Sequence, residues 1–285
     1  MDLYENTHLK KRHFSFGKNW QKFLKKLTPQ RIEEAEKSLK EWLGDISGKT
    51  FIDIGCGSGL FSLAANRLGA KVTSVDIDDQ SIECTKELKK RFGGGDWKII
   101  KGSALDSNFI KSLGQYDIVY SWGVLHHTGD MWLAIENITQ LVKPKGVLYI
   151  AIYNKSTRKL EGTSELWKKI KKFYNKTNFI LKKIIYILYT TYLIAGITLH
   201  GRNPIKYIRE YKSNRGMDFF TDIKDWLGGY PYEYATPKEV ENFLGLEGFD
   251  LVREKTVRSI GCNEYLFKRV AMSRRCGGYV HNEQR

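Results

Sequence analysis

The residues with the most chemistry to offer are two carboxylates, three alternating glycines and a pair of histidines. Asp53 leads an Asp-x-Gly-x-Gly-x-Gly run through Gly55, Gly57 and Gly59. The apolar, β-branched run Thr50–Ile54 precedes it, and Leu60–Leu68 follows with helical spacing, so a strand enters a helix through glycine. That junction offers backbone N–H groups at a helix N-terminus with no Cβ in the way, which suits a nucleoside-bearing ligand. A dinucleotide fingerprint starting at Gly55 would need a third glycine where Leu60 stands. A phosphate site has no evident need for a carboxylate at its mouth, whereas a cationic amino-acid moiety does. Asp76 closes the alternating run Lys71–Asp76 roughly 20 residues after the first glycine, the distance expected of an acid that accepts ribose hydroxyls.

Taken together, these residues resemble motif I and the second-strand acid of the class I S-adenosylmethionine-dependent methyltransferases, over residues 48–154 and 237–270. The chain is most similar to the small-molecule methyltransferases of the ubiquinone and menaquinone biosynthetic type. The resemblance implies that Asp53 faces the methionine ammonium of S-adenosylmethionine. Gly55, Cys56, Gly57 and Gly59 would pass under that cofactor, Asp76 would hold its sugar, and Ile77, Ser121 and Trp122 would line it. Many relatives place an acid where Ser103 stands to bind the adenine amino group; here the acid comes three residues later. Ser103 with the Ala104 backbone is the first choice for that contact, and Asp106 the second.

The fourth strand, Tyr116–Ser121, ends in Trp122–Asp130, where ligands of open α/β sheets bind. Methyl transfer from a sulfonium is an in-line displacement that needs positioning above all. A hydroxyl acceptor also needs a base, and histidine titrates near neutrality. His126 and His127 are therefore candidate bases, with orienting or packing roles as the alternative for each. Tyr153 and Asn154, ending the fifth strand, are candidate substrate contacts. So are Trp226 and Tyr230 in the aromatic stretch Asp225–Tyr232, though surface packing would ask for the same residue types. Cys56, Cys84, Cys262 and Cys276 form no CxxC pair, so reduced thiols, a cytoplasmic setting and no metal site are expected.

These pieces predict an α/β fold: a Rossmann-like seven-stranded class I methyltransferase sheet with a closing antiparallel strand. The expected divisions are an N-terminal helical segment (1–47), a cofactor-binding core (48–155), a helical, basic lid (156–235), the returning core (236–270) and a frayed tail (271–285). An aromatic cluster at Phe14–Trp20 either closes over the cofactor or packs on the core. A helix over 79–91 should be capped by Ser81 or Asp79, and a turn should occupy Val142–Gly146. Thr236-Pro237 reads as a cap with Pro at the first helical position.

The 285 residues carry a net charge of +15, which excludes nothing by itself but asks where the charge gathers. About ten Lys/Arg face two Glu between residues 155 and 183. Glu165–Tyr174 is a basic amphipathic pattern with Leu166, Trp167, Ile170 and Phe173 as its stripe. Ile184–Leu199 carries no charge but is shorter than the roughly 20 residues that span a bilayer. It fits a helix buried in the lid, an interfacial anchor in segment 165–199, or a span. Three functions remain open. The first is O-methylation of a small or lipid-linked acceptor, a quinone precursor or glycan intermediate, at the inner membrane face. The second is RNA methylation, suggested by the charge; the third is a non-catalytic cofactor-binding scaffold. Strand four lacks the Asn/Asp-Pro-Pro-aromatic end typical of exocyclic-amine methylation, and no Pro-Cys nucleophile occurs.

Overall fold

The computed structural model describes residues 24, 27–158, 162–215 and 219–270. The Phe14–Trp20 cluster and the 271–285 tail lie outside the described residues. Chain order runs α1 (Pro29–Leu43), β1 (Thr50–Ile54), α2 (Leu60–Arg67), β2 (Lys71–Asp76), α3 (Asp79–Phe92), β3 (Trp97–Lys101), α4 (Ser107–Ser112), β4 (Tyr116–Trp122), a short 3₁₀ turn (Leu125–His127), α5 (Met131–Thr139) and β5 (Val142–Tyr153). The inserted region holds α6 (Ser164–Lys176), α7 (Phe179–Leu199), α8 (Pro204–Arg215) and α9 (Phe219–Gly228). The core then returns with α10 (Pro237–Leu246), β6 (Phe249–Lys255) and β7 (Cys262–Arg269).

The seven strands form one sheet in the order β3-β2-β1-β4-β5-β7-β6. Strands β1 to β5 are parallel, and β7 lies antiparallel between β5 and β6. The order reverses beside β1, so the carboxyl ends of β1, β2 and β4 share one rim, the place where such sheets bind ligands.

Alternation along the strands splits the core into two layers. Ile52, Ile54, Val75, Val119 and Ile150 pack under α5 and α10. Phe51, Val72, Ile118, Tyr120 and Tyr149 pack with Leu39 and Trp42 of α1 and Leu63 of α2. Asp53 shares the side of Phe51, so its carboxyl group is directed toward α2. A third cluster, Trp167, Phe219, Ile223, Leu227 and Tyr232, belongs to the insert and packs on Tyr153 at the end of β5.

Several expectations shift. The α3 cap is Asp78, which accepts from Gln80 and Ser81 N–H, not Ser81 or Asp79. Strand β5 begins at Val142, where a turn was expected, but its pairing with β4 passes from Tyr116–Val142 to Ile118–Val147, so residues 143–146, with Lys145 at φ 64°, bulge out of the ladder. Thr236 caps α10 as expected, in a reciprocal capping box with Glu239. In α6, Trp167 and Lys171 are buried while Leu166 and Phe173 are exposed, so the helix is rotated from the stripe that apolarity alone suggests. Helix α7 extends five residues before the uncharged stretch, and none of its residues is buried, which corrects the placement of that stretch inside the lid.

Leu39 is fully buried between α1 and the sheet. Leu39→Ala should lower unfolding free energy by about 2–5 kcal/mol through the cavity it leaves, read as a lower urea midpoint with an unchanged slope.

Candidate active site

The rim is built around the bend at residues 55–59. Gly55, Gly57 and Gly59 all take positive φ, which L side chains rarely adopt. Packing adds a second reason at two of them: a Cβ on Gly55 would lie 2.3 Å from the Val124 side chain, and one on Gly59 2.8 Å from Thr85. The bend is pinned to the second strand. Gly55 and Cys56 N–H donate to the Val75 carbonyl at 2.7 and 3.0 Å, and Gly57 N–H donates to Asp76 Oδ2 at 2.9 Å. The Cys56 thiol points away, to Thr85 Oγ1 at 3.4 Å.

The two acids come together. Asp53 is 3% exposed and accepts from Ser62 Oγ at 2.6 Å. Ser62 in turn accepts from Ser74, and Ser74 from the Trp97 indole N–H, an unbroken chain of donors behind the carboxylate. Burial pushes Asp53 up to about 7; the Ser62 hydrogen bond opposes this and the neighbouring Asp76 charge adds to it. Burial likewise pushes Asp76 up to about 6, against the N–H groups of Asp78 and Gly57. A buried Asp53 beside a half-buried Asp76, with no cation among the described residues drawing either down, suits a positively charged ligand. Ile77, beside Asp76, leaves an apolar side chain 58% exposed on the rim, a surface for a flat ring. The carboxylate pair, the glycine bend and this apolar step fit an amino-acid-bearing nucleoside, with Asp53 on its ammonium side and Asp76 on its sugar.

Other expected cofactor contacts divide. Ser103 and Ala104 lie at the end of β3, where Gly102 N–H is tied to the Asp76 carbonyl at 3.0 Å, so they adjoin the sugar acid. Asp106 does not serve there: its carboxylate caps α4 by accepting from Asn108 and Phe109 N–H. Ser121 is fully buried and its hydroxyl donates to the Ile54 carbonyl at 2.8 Å, bracing β4 against β1 instead of facing a ligand. Trp122 remains on the rim, 44% exposed. Its indole N–H is held by Glu264 Oε2 at 3.3 Å, which also accepts from Tyr149 Oη at 2.5 Å. Glu264 lies 142 residues away in sequence, and no local pattern points to it.

Beyond β4 the histidines separate in role. His126 is wholly buried, and its Nδ1 accepts from the Tyr153 backbone N–H at 3.2 Å. The ring proton therefore sits on Nε2, which is buried without a partner. Burial, then the charges of His127 and Lys171, hold its pKa well below the usual imidazole range. His126 is thus a neutral wedge under Tyr153, with ring centroids 3.8 Å apart, and it has no lone pair for a substrate proton; this corrects its candidacy as base. His127 is oriented differently. Its Nδ1 lies 2.6 Å from the Pro231 carbonyl, an acceptor only, so Nδ1 carries the proton and Nε2 is the basic nitrogen.

The insert forms an aromatic wall over these rings. Tyr153 packs edge-on against His127, with centroids 5.4 Å apart, and contacts Trp226 and Tyr232 at 5.8 and 5.1 Å. Tyr230 precedes Pro231 through a cis peptide bond. Asn154 does not face substrate. Its Nδ2 donates to the Val257 and Ser259 carbonyls and its Oδ1 accepts from Asn263, so it clamps the β6–β7 turn. Lys171 entered no sequence-based site list, yet its amine is fully buried among these rings. The signal for it was its place four residues after Trp167 on one helix face.

A family model described as a methyltransferase domain matches residues 52–148, from the first strand through the fifth. Residues 52–148 are therefore a methyltransferase domain. It is 30% identical to a ubiquinone biosynthesis O-methyltransferase of Shewanella pealeana over 135 residues, covering 47% of this chain and 55% of that enzyme. It is 29% identical to the enzyme of the same name from Rickettsia canadensis over 231 residues, covering 78% of this chain and 85% of that one. The chain spans about half the length of the curated relatives it matches first, 55% and 49% for two of them. Among solved structures, the magnesium protoporphyrin IX methyltransferase of Synechocystis has a similar fold, with a TM-score of 0.50 at 17% identity, covering 84% of this chain and 82% of that one. An O-methyltransferase family protein from Burkholderia thailandensis superposes with a TM-score of 0.51 at 14% identity, covering 85% and 55%. In a domain of this kind the rim of β1, β2 and β4 is where open α/β sheets bind their ligands.

Two outcomes test the carboxylate pair. Asp76→Ala should weaken S-adenosylmethionine binding by about 1.5–3 kcal/mol through lost charge-assisted hydrogen bonds, measured by calorimetry. Both folded-state pKa values lie above the ordinary carboxylate range, at about 7 and about 6, and a cationic ligand needs the charged forms. Affinity should therefore fall by about tenfold or more from pH 7.5 to 5.5, with protons released on binding in the acid part of that range. A flat affinity across the range would refute this assignment.

Proposed function

We propose that this chain transfers a methyl group from S-adenosylmethionine to a hydroxyl oxygen of a small aromatic acceptor, a quinone precursor. The observation that carries the chemistry is the His127 geometry: a basic nitrogen oriented by the Pro231 carbonyl, next to an aromatic wall and one loop beyond the cofactor rim. The names of the relatives, O-methyltransferases of ubiquinone biosynthesis, support the same class of acceptor. S-adenosylmethionine, when bound, supplies an electrophilic methyl carbon on a sulfonium. The chain does the rest. Asp53, Gly55, Gly57, Gly59, Asp76 and Ile77 hold the nucleoside and its amino acid; Ser103 and Ala104 take the adenine edge; Trp122 covers the rim. Tyr153, Trp226 and Tyr230 hold the acceptor ring by stacking and exclude water. His127 Nε2 takes the hydroxyl proton as the oxygen becomes nucleophilic, and its Nδ1–H bond to Pro231 keeps the ring in the accepting tautomer.

The reading places the protein in the cytoplasm, against an anionic membrane surface, with a lipid-linked acceptor. Helix α7 supports this. Its 21 residues include no buried one, and Phe179, Ile180, Ile184, Ile187 and Leu188 are exposed. Lys182 and Lys183 lie within it and Arg202 just beyond. An apolar face edged by lysines binds anionic bilayers by area and by charge together. RNA methylation is not favoured, since strand four ends in Ser121-Trp122-Gly123-Val124.

His127→Ala should lower turnover on a catechol acceptor by about 10²-fold or more while calorimetry shows cofactor affinity unchanged; an unimpaired rate would return His127 to a packing role. The full chain should co-sediment with phosphatidylglycerol vesicles and not with phosphatidylcholine alone, and Ile187→Glu/Leu188→Glu should release it. Salt-sensitive RNA binding without vesicle retention would favour the alternative.

A further inference from the structure

Lys171 is the one buried lysine among the described residues, and core packing does not explain it. Burying an amine is costly, and a methionine would fill the same space without that penalty. Its Nζ donates to the Trp226 carbonyl and sits 3.8 Å from the Trp226 ring centroid and 4.9 Å from that of Tyr232. One turn later on α6, Asn175 Nδ2 donates to the Gly228 carbonyl at 3.0 Å. Two side chains of one helix thus grip the start of the 226–231 segment. The far end of the same segment is the Pro231 carbonyl that receives His127 Nδ1–H. Gly229, between them, is squeezed from both sides: a Cβ there would lie 3.1 Å from His127 Cε1 and 3.6 Å from Lys171 Nζ.

We propose that Lys171 is a positioning residue that fixes the 226–231 segment, so that the inserted helices dictate which nitrogen of His127 carries the proton. The proposal rests on the reading of His127 as base for its significance, but its geometry is independent of turnover. The amine also acts by charge. His126 and His127 face it from the turn after β4, Tyr153 from β5 and Tyr232 from the segment itself, while Asp222 and Asp225 of α9 act on Tyr153 from farther away. Burial lowers the Lys171 pKa to about 7 with no carboxylate opposing it, so a partly charged amine lies next to the histidine pair near neutral pH.

The test is ¹⁵N NMR of the histidine side chains in the full-length protein, with His127→Asn to assign the signal. Wild type should show His127 as the Nδ1–H tautomer. Lys171→Met, checked for folding by its melting curve and for cofactor binding by calorimetry, should show a tautomer mixture. It should also show an imidazole pKa raised by about half a pH unit or more, because a nearby positive charge has gone. Lys171→Gln keeps a donor for the Trp226 carbonyl, one bond shorter, and should keep the Nδ1–H tautomer while its pKa rises. It carries the test alone if the methionine variant does not fold, and an unshifted pKa there overturns the proposal. A folded Lys171→Met protein with wild-type tautomer and pKa overturns it as well. If instead the NMR result holds while His127→Ala retains full turnover, the base assignment fails and the positioning contact stands.

Discussion

The structure turns on a short loop held by a neighbour's carboxylate. Gly57 donates to Asp76, Gly55 and Cys56 donate to the carbonyl before it, and Val124 occupies the space that a Cβ on Gly55 would need. One bend thereby locks the ends of β1 and β2 to the loop after β4. Hydrogen bonds to a charged acceptor are the stronger kind, and the same carboxylate remains on the rim where a sugar would lie. The residue that shapes the loop is therefore also the one proposed to meet the ligand's sugar. Burial raises the proton affinity of both acids, and the Asp76 charge raises that of Asp53 further.

A second constraint comes from the insert. Its aromatic cluster dehydrates the histidine pair, and dehydration sorts them. His126, fully enclosed and receiving the Tyr153 N–H, is held neutral as packing material. His127 donates to a carbonyl supplied by the insert and so keeps its basic nitrogen on the other edge of the ring. Two adjacent identical residues thus differ because the backbone offers one a donor and the other an acceptor. The insert's other surface is α7, one side of which, from Ile185 to Ile197, packs on the cluster around Trp167 while Phe179, Ile180, Ile184, Ile187 and Leu188 stay exposed.

The proposed cofactor half of the site can be read from the sequence because it is local. Asp53, the glycines, Asp76 and Ile77 stand at strand ends that periodicity locates, and their roles follow from position along one or two strands. Ser121, Asn154 and Asp106 misled for a common reason. A polar residue at a strand end reads as a ligand contact, but strand ends and helix starts also carry unpaired backbone groups, and these three side chains satisfy them. The rotation of α6 was illegible because it depends on a lysine packing as an aromatic partner, which an apolar stripe does not describe.

By itself the amino-acid order determined the sheet, the bend and the acids, because the periods of strand and helix and the conformational freedom of glycine are properties of neighbouring residues. Tertiary structure alone decided which histidine can accept a proton, that Glu264 holds Trp122, and that Lys171 sits beneath the 226–231 segment. Those outcomes depend on hydrogen-bond partners from distant elements, and in a buried site the partner, not the residue type, sets tautomer and charge.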